Sequence, residues 1–314
     1  MTLPLVIDTD PGIDDSLALI LAARARAARL LAVSASYGNT TLDNTARNAR
    51  LVLQRAGSAA PVFAGADRPL ARPLVTAKET HGGDGLGDHT PPPAPAVRPT
   101  STSILDALRA AGGPVTLVTL GPLTNLALAL RNDPALLRSR VTRHVAMGGN
   151  IAAAGNCGAL AEFNVWCDPE AAAEVFAARL GGATELVGLD VTRRVVIPAP
   201  AVHKLASHQD ADARWLGRLL GFYVRFHAEY EGLPGAVMND PLAVALALEP
   251  SWGSAETLPL TVDLAQATGR GETRVGGPGD PPVTVYRGVN VGPVHELLLE
   301  YLFGRWLTKA DFQP

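Results

Sequence analysis

Short apolar runs alternate with helix-period stretches through most of this chain, and that alternation admits few folds. The runs Leu3–Asp8, Leu30–Ser36, Pro61–Ala64, Val115–Leu120, Val141–Met147 and Glu185–Leu189 read as strands. Helical patterns fall between and after them, at 14–29, 41–56, 104–111, 123–131, 169–180, 215–230, 241–248 and 294–303. Strand and helix in repeated succession predict an α/β fold, an open, mostly parallel Rossmann-like sheet flanked by helices. From Pro250 to Arg287 the pattern changes: β-like runs at 258–262 and 282–287 are separated by Gly- and Pro-rich turns, which predicts a late β-hairpin excursion. Neither a linker nor an internal repeat interrupts the chain, so residues 1–314 are expected to form a single domain.

Composition narrows the class further. Hydrophobic residues make up 47% and charged residues 18%, enough apolar material for a large core without disulfides. The two cysteines, Cys157 and Cys167, sit in no CxxC or CxxH frame, as expected of a protein in a reducing cytoplasm. A net charge of −3 without any basic block argues against a nucleic-acid partner. No apolar stretch reaches about 18 residues, so no membrane span is expected. Two segments read as mobile loops, 76–97 with its "THGGDGLGDH" and 230–237 with "YEGLPGAV".

The stretch "VIDTDPGIDDSLAL" places Asp8, Asp10, Asp14 and Asp15 within eight residues, at the end of the first strand and in the first turn of a helix. Carboxyl ends of strands in open α/β sheets are where ligands bind. Two carboxylates about 4 Å apart repel by ~4 kcal/mol at an effective dielectric of 20, whereas a helix N-terminus offsets only about 0.3–1 kcal/mol per charge. Some of these groups must therefore be protonated, or a hard cation such as Mg²⁺ or Ca²⁺ sits among them. A phosphohydrolase with an aspartate nucleophile is one reading. It would need phosphate-binding Lys or Arg beside the cluster, and none is close in sequence.

"DTDPGIDD" closely resembles the signature of the inosine-uridine-preferring nucleoside hydrolases, and other segments agree in order. "SYGNTTLDNTARNA", "HGGDGLG", "TLGPLTNLALAL", "MGGN", "AGNCGALAEFNVWCDPEAA" and "VMNDPLAVA" all resemble segments of that family. The resemblance implies Ca²⁺-dependent hydrolysis of the N-glycosidic bond of a ribonucleoside, with calcium held by Asp10, Asp15, Asp240 and the backbone carbonyl of Thr124. Asp10 would double as general base, and Asp8 would support the ligands. Ribose contacts are implied for Asp14, Asn39, Asn156, Glu162 and Asn164, with Met147 packing nearby and His81 near the base. A homodimer or homotetramer is implied as well, with a small-molecule nucleoside as the partner. Asp133 and Asp168, each before a proline, read as plain helix N-caps.

The sequence departs from the family at one position. A histidine usually precedes the late aspartate and handles the leaving base, but here Asn239 stands there. An amide can hydrogen-bond a base yet cannot deliver a proton near neutral pH. His81, His227 or Tyr230 are the candidates to serve the leaving-group side instead. The same departure motivates two alternatives, a nucleoside- or ribose-binding protein with weak turnover and a hydrolase of an unusual N-riboside.

Overall fold

The structure is a computed structural model that describes residues 2–313, apart from 90–95, 159 and 179. Eleven strands are defined: β1 Leu3–Thr9, β2 Ala28–Ala35, β3 Val62–Ala64, β4 Val115–Thr119, β5 Val141–Met147, β6 Glu185–Val187, β7 Val196–Pro198, β8 Gly235–Val237, β9 Gly253–Val262, β10 Thr273–Val275 and β11 Pro282–Val289. Nine of them form one sheet in the order β10-β9-β11-β6-β5-β4-β1-β2-β3. From β3 across to β11 every neighbouring pair is parallel. The mostly parallel sheet expected from the alternating pattern is present.

Among the described residues thirteen α-helices surround it: α1 Ile13–Arg24, α2 Leu42–Ala56, α3 Lys78–His81, α4 Ser103–Ala111, α5 Thr124–Asn132, α6 Pro134–Arg140, α7 Phe163–Cys167, α8 Pro169–Ala177, α9 Leu189–Thr192, α10 Ala199–Ala206, α11 Ala211–Phe226, α12 Asn239–Leu248 and α13 Val291–Leu298. Side chains of the strands alternate between two cores, as the period of two requires. Leu5 and Ile7 of β1 pack with Leu17 of α1, Leu219 of α11 and Leu242 of α12. Val6 faces the opposite core with Ile104 of α4, Leu126 of α5 and Val175 of α8. Fully buried parallel strands need apolar residues on both faces, which is why β1 and β4 read as continuous apolar runs.

Three expectations change on contact with the structure. The late hairpin is not an excursion: β9 pairs antiparallel with β11, and β11 pairs parallel with β6, so the segment extends the central sheet. Residues 76–89 are packed, with α3 forming one helical turn and Leu86 only 1% exposed. The remainder of that expected loop includes 90–95, outside the described residues. The second expected loop is likewise ordered, as a π-turn at His227–Glu231 followed by β8, which pairs with β7. Asp133 and Asp168 do cap helices, accepting from Leu136 N–H (3.0 Å) and Ala171 N–H (3.1 Å). Among the described residues no helix is long and apolar enough to cross a membrane.

Candidate active site

The chain leaves β1 at Thr9 and turns through Asp10 to Gly12 into α1, so Asp14 and Asp15 fall in the first turn of that helix, among its free N–H groups. Asp15 is the most tightly held. Its Oδ1 accepts from the Thr9 hydroxyl (2.5 Å), and its Oδ2 accepts from Gly12 N–H (3.0 Å) and Asn39 Nδ2 (2.8 Å). Asp10 Oδ2 accepts from the Asn39 N–H (2.7 Å), but Asp10 Oδ1 is buried with no hydrogen-bond partner. Gly38 and Gly121 abut the Asp10 carboxylate so closely that a Cβ on either would overlap it. Asp240 comes from the far side of the sequence, at the second position of α12.

One oxygen from each of Asp14, Asp15 and Asp240 lies within 4.8 Å of the other two. Asp10, Asp14, Asp15 and Asp240 are all at most 4% exposed, and no Lys or Arg among the described residues forms an ion pair with any of them. Burial pushes all four carboxyls up. Asp15 and Asp14 raise Asp10 further, Asp14 raises Asp15, and Asp14, Asp15 and Asp10 raise Asp240. Four buried acids with an orphaned oxygen and no protein cation form an all-oxygen donor set suited to a hard divalent ion.

Above this floor lies a cleft with about 630 Å³ of empty space, part of it open to solvent. Its polar wall consists of Asp14, Asn156, Glu162 and Asn164, with Leu120 and Met147 between them. Glu162 is the N-cap of α7, and its carboxylate accepts from the N–H groups of Asn164 (2.9 Å), Gly149 (2.9 Å) and Val165 (3.2 Å). Burial raises it to about 7 even so. Asn164 Nδ2 donates to the Leu120 carbonyl (2.7 Å), and Asn156 Oδ1 accepts from Phe163 N–H (2.9 Å). Asn39 lines the cleft too, with its Nδ2 committed to Asp15.

The aromatic part of the lining is His81, Tyr223, Phe226 and His227, and Asn239 lines the cleft as well. Tyr223 lies 5.3 Å from the His81 ring and 4.1 Å from the His227 ring, centre to centre. His81 Nδ1 accepts from Ile13 N–H (3.0 Å), which leaves the ring proton of the neutral form on Nε2. Burial lowers His81 to about 4 and His227 to about 3. The Tyr223 hydroxyl donates to Asp14 Oδ2 (3.0 Å) and accepts from Asn239 Nδ2 (2.9 Å). At the mouth, Arg193 pairs with Glu231 (3.1 Å).

The structure brings Asp10, Asp14, Asn39, His81, Met147, Asn156, Glu162, Asn164, His227, Asn239, Asp15 and Asp240 around one cleft. Two expected residues are elsewhere. Thr124 opens α5 and does not line the cleft; its hydroxyl donates to Asp168 (2.7 Å) and meets the Tyr37 hydroxyl (2.9 Å). The cleft-lining residue of that segment is Leu120, just past the end of β4. Tyr230 is 63% exposed and stacks on the outer side of Phe226, away from the cleft. Asp8, expected only to support the ligands, lies outside the cluster and accepts from Asn125 Nδ2 (2.8 Å). Sequence reasoning missed Tyr223, Phe226 and Arg193. Tyr223 shares the apolar face of α11 with Leu216, Leu219 and Leu220, so it reads as core.

Comparison with known proteins agrees with this arrangement. Residues 5–296 match the family described as inosine-uridine preferring nucleoside hydrolase. A relative named pyrimidine-specific ribonucleoside hydrolase RihA, from Enterobacter sp. (strain 638), is 40% identical over 256 residues, 80% of each chain. A probable uridine nucleosidase 1 from Oryza sativa subsp. japonica is 36% identical, covering 79% of this chain and 77% of the relative. Among solved structures, a purine-preferring ribonucleoside hydrolase from Gardnerella vaginalis superposes with a TM-score of 0.84 at 26% identity, covering 96% of this chain and 98% of its own. A plant nucleoside hydrolase, PpNRh1, gives 0.85 at 29% identity, over 96% and 99%. The chain belongs to the inosine-uridine preferring nucleoside hydrolase family, enzymes that cleave the N-glycosyl bond of ribonucleosides.

Proposed function

We propose that this hydrolase releases free base and ribose with calcium as its cation and Asp10 as its general base. One observation carries the reading: Asp10 Oδ1 is a buried carboxylate oxygen with no partner, on a floor of four acids without a protein cation. Asp10, Asp15 and Asp240 are assigned to the cation; Asp14 shares the close cluster with Asp15 and Asp240. Leu120 takes the place expected for Thr124 as the source of a main-chain oxygen. When bound, such a cation supplies Lewis acidity that lowers the pKa of a water and attracts ribose hydroxyls.

Asp10 accepts the proton of the attacking water as the bond from C1′ to the base breaks. The Oδ1 atom of Asp10, free of hydrogen bonds among the described residues, is the oxygen available to take it. Gly38 and Gly121 hold it in one position, so it needs no reorientation. Asp14, Asn156, Glu162 and Asn164 bind the ribose hydroxyls; backbone hydrogen bonds orient the last three beforehand, and Tyr223 and Asn239 orient Asp14. The transition state resembles an oxocarbenium ion, which the surrounding carboxylates favour. His81, Tyr223, Phe226 and His227 face the base, where stacking and the Nε2–H of neutral His81 support its departure.

The pyrimidine and uridine names of the more similar relatives make a pyrimidine ribonucleoside the preferred substrate in this proposal. A cytoplasmic homodimer or homotetramer also belongs to it. The test is ribose release from uridine, cytidine, inosine and adenosine, each with calcium and with a chelator. Chelator-sensitive release, fastest from uridine or cytidine, supports the reading. Turnover that survives complete removal of divalent ions overturns the role given to the cation.

A further inference from the structure

Asn156 differs from the other groups assigned to the ribose. Glu162 and Asn164 are 2% and 7% exposed and belong to α7 and its N-cap, so a helix fixes them. Asn156 is exposed, and residues 151–155 before it form neither helix nor strand. That run reads IAAAG, which offers little side chain with which to anchor itself. Its backbone groups have to be held from elsewhere if Asn156 is to keep one position over the cleft.

The holding groups come from one short segment. Asp190 of α9 accepts from the N–H groups of Ile151 (2.7 Å), Ala152 (2.8 Å) and Ala153 (3.2 Å). Arg193, the residue that ends α9, donates through Nη1 to the Ala154 carbonyl (2.6 Å) and through Nη2 to the Gly155 carbonyl (3.4 Å). Asp190 and Arg193 thus hold the run from 151 to 155, up to the residue that precedes Asn156. Nη2 of Arg193 also pairs with Glu231 (3.1 Å), which ties the guanidinium to the π-turn at the mouth. Arg193 and Glu231 both line the cleft. A guanidinium presents its N–H groups in a rigid fork, so it can meet two carbonyls and a carboxylate at once; the ammonium of a lysine has no such fixed geometry.

We infer that Arg193 is a positioning residue for ribose binding, holding the Ala154 and Gly155 carbonyls so that Asn156 meets its ribose hydroxyl. The inference rests on the assignment of Asn156 to the ribose and adds what keeps that contact in place. Arg193 touches no reacting atom in this role and acts through Asn156. The loop is set before substrate arrives, so sugar binding does not have to order it.

A double-mutant cycle tests this. The quantity measured is kcat/KM for ribose release, with whichever of uridine, cytidine, inosine and adenosine the wild type cleaves fastest. The enzymes are calcium-loaded wild type, Arg193→Met, Asn156→Ala and the double variant. Arg193→Met keeps an apolar stem and removes the fork. It is expected to lower kcat/KM by about 10-fold in the wild-type background. In the Asn156→Ala background the loss shrinks to less than about twofold, because the contact being positioned has already gone. A general loss of active protein would multiply through both backgrounds alike, so the cycle separates positioning from a merely structural role. Arg193→Lys keeps the charge but not the fork; it is expected to follow Arg193→Met, and replaces it in the cycle if that variant does not fold. An equal loss in both backgrounds, or wild-type activity in Arg193→Met, overturns the inference. Wild-type activity in Asn156→Ala overturns instead the ribose role of Asn156, and a wild type that cleaves none of these nucleosides overturns the hydrolase reading. The inference falls with either.

Discussion

The two ends of the cleft are built on opposite principles. The floor crowds four acids together, each at most 4% exposed, and burial and mutual repulsion raise them all. The aromatic end holds ionisable rings that burial keeps neutral, with His81 lowered to about 4 and His227 to about 3. On the function proposed above, the first end serves a cation and a sugar and the second a base, with the chemistry at C1′ between them. The difference teaches that burial has two uses in one cleft: it raises acids at one end and keeps rings neutral at the other.

The contrast is broken most severely by Asp10→Ala. It is expected to lower kcat by about 10²–10⁴-fold, while the melting temperature without divalent ions rises because one buried acid has gone. A turnover close to wild type would remove Asp10 from the mechanism. Removing the cation comes next. Chelation should stop ribose release, and adding back calcium to 100 times its Kd should stabilise the fold by about 2.7 kcal/mol, read as a shift in melting temperature. Binding without stabilisation would place the ion outside the buried floor.

Tyr223→Phe joins the two ends, since its hydroxyl ties Asp14 to Asn239. The loss of a buried hydrogen bond to an acid predicts a fall of about 10-fold in kcat/KM, with stacking on His81 retained. His144 is a control outside the cleft, buried between Thr119 (3.0 Å) and Thr184 (3.1 Å) and lowered to about 3. The unfolded chain takes up a proton near pH 6.5 and the folded one near 3. The stability that neutral His144 contributes is therefore complete above pH 6.5 and lost as the pH falls towards 3. Between pH 7.5 and pH 5 the stability of wild type relative to His144→Gln should drop by about 2 kcal/mol, measured by urea denaturation. The smallest effect belongs to Tyr230→Ala, expected to change kcat/KM by less than about twofold, as suits an exposed side chain.

Much of this was legible in the sequence, for identifiable reasons. Carboxylates are rare near a core, so Asp10, Asp14 and Asp15 announced themselves by spacing alone, and Asp240 followed from its motif. Apolar runs gave β1, β4 and β5 because strands buried on both faces have little polar content. β7 and β8 were not read from the sequence, although β3 and β6 are equally short and were. Tyr223 was hidden because a tyrosine on an apolar helix face looks the same whether its hydroxyl serves a site or not. Tyr230 was misplaced because regular α-periodicity was extended through His227–Glu231, where the helix widens to a π-turn and the facing of its residues shifts. Thr124 was misplaced for a related reason: a ligand expected through its backbone carbonyl leaves no trace in side-chain identity.

The edges of the sheet bear on how copies of this chain can meet. Both outermost strands, β3 and β10, are three residues long. Edges that short offer too few unpaired amides and carbonyls to template another strand, a common protection against uncontrolled strand addition. They cover only part of their neighbours, however: β10 pairs with Leu260–Val262 of β9 and β3 with Val33–Ala35 of β2, so the outer edge of β9 over residues 253–258 pairs with no strand among the described residues.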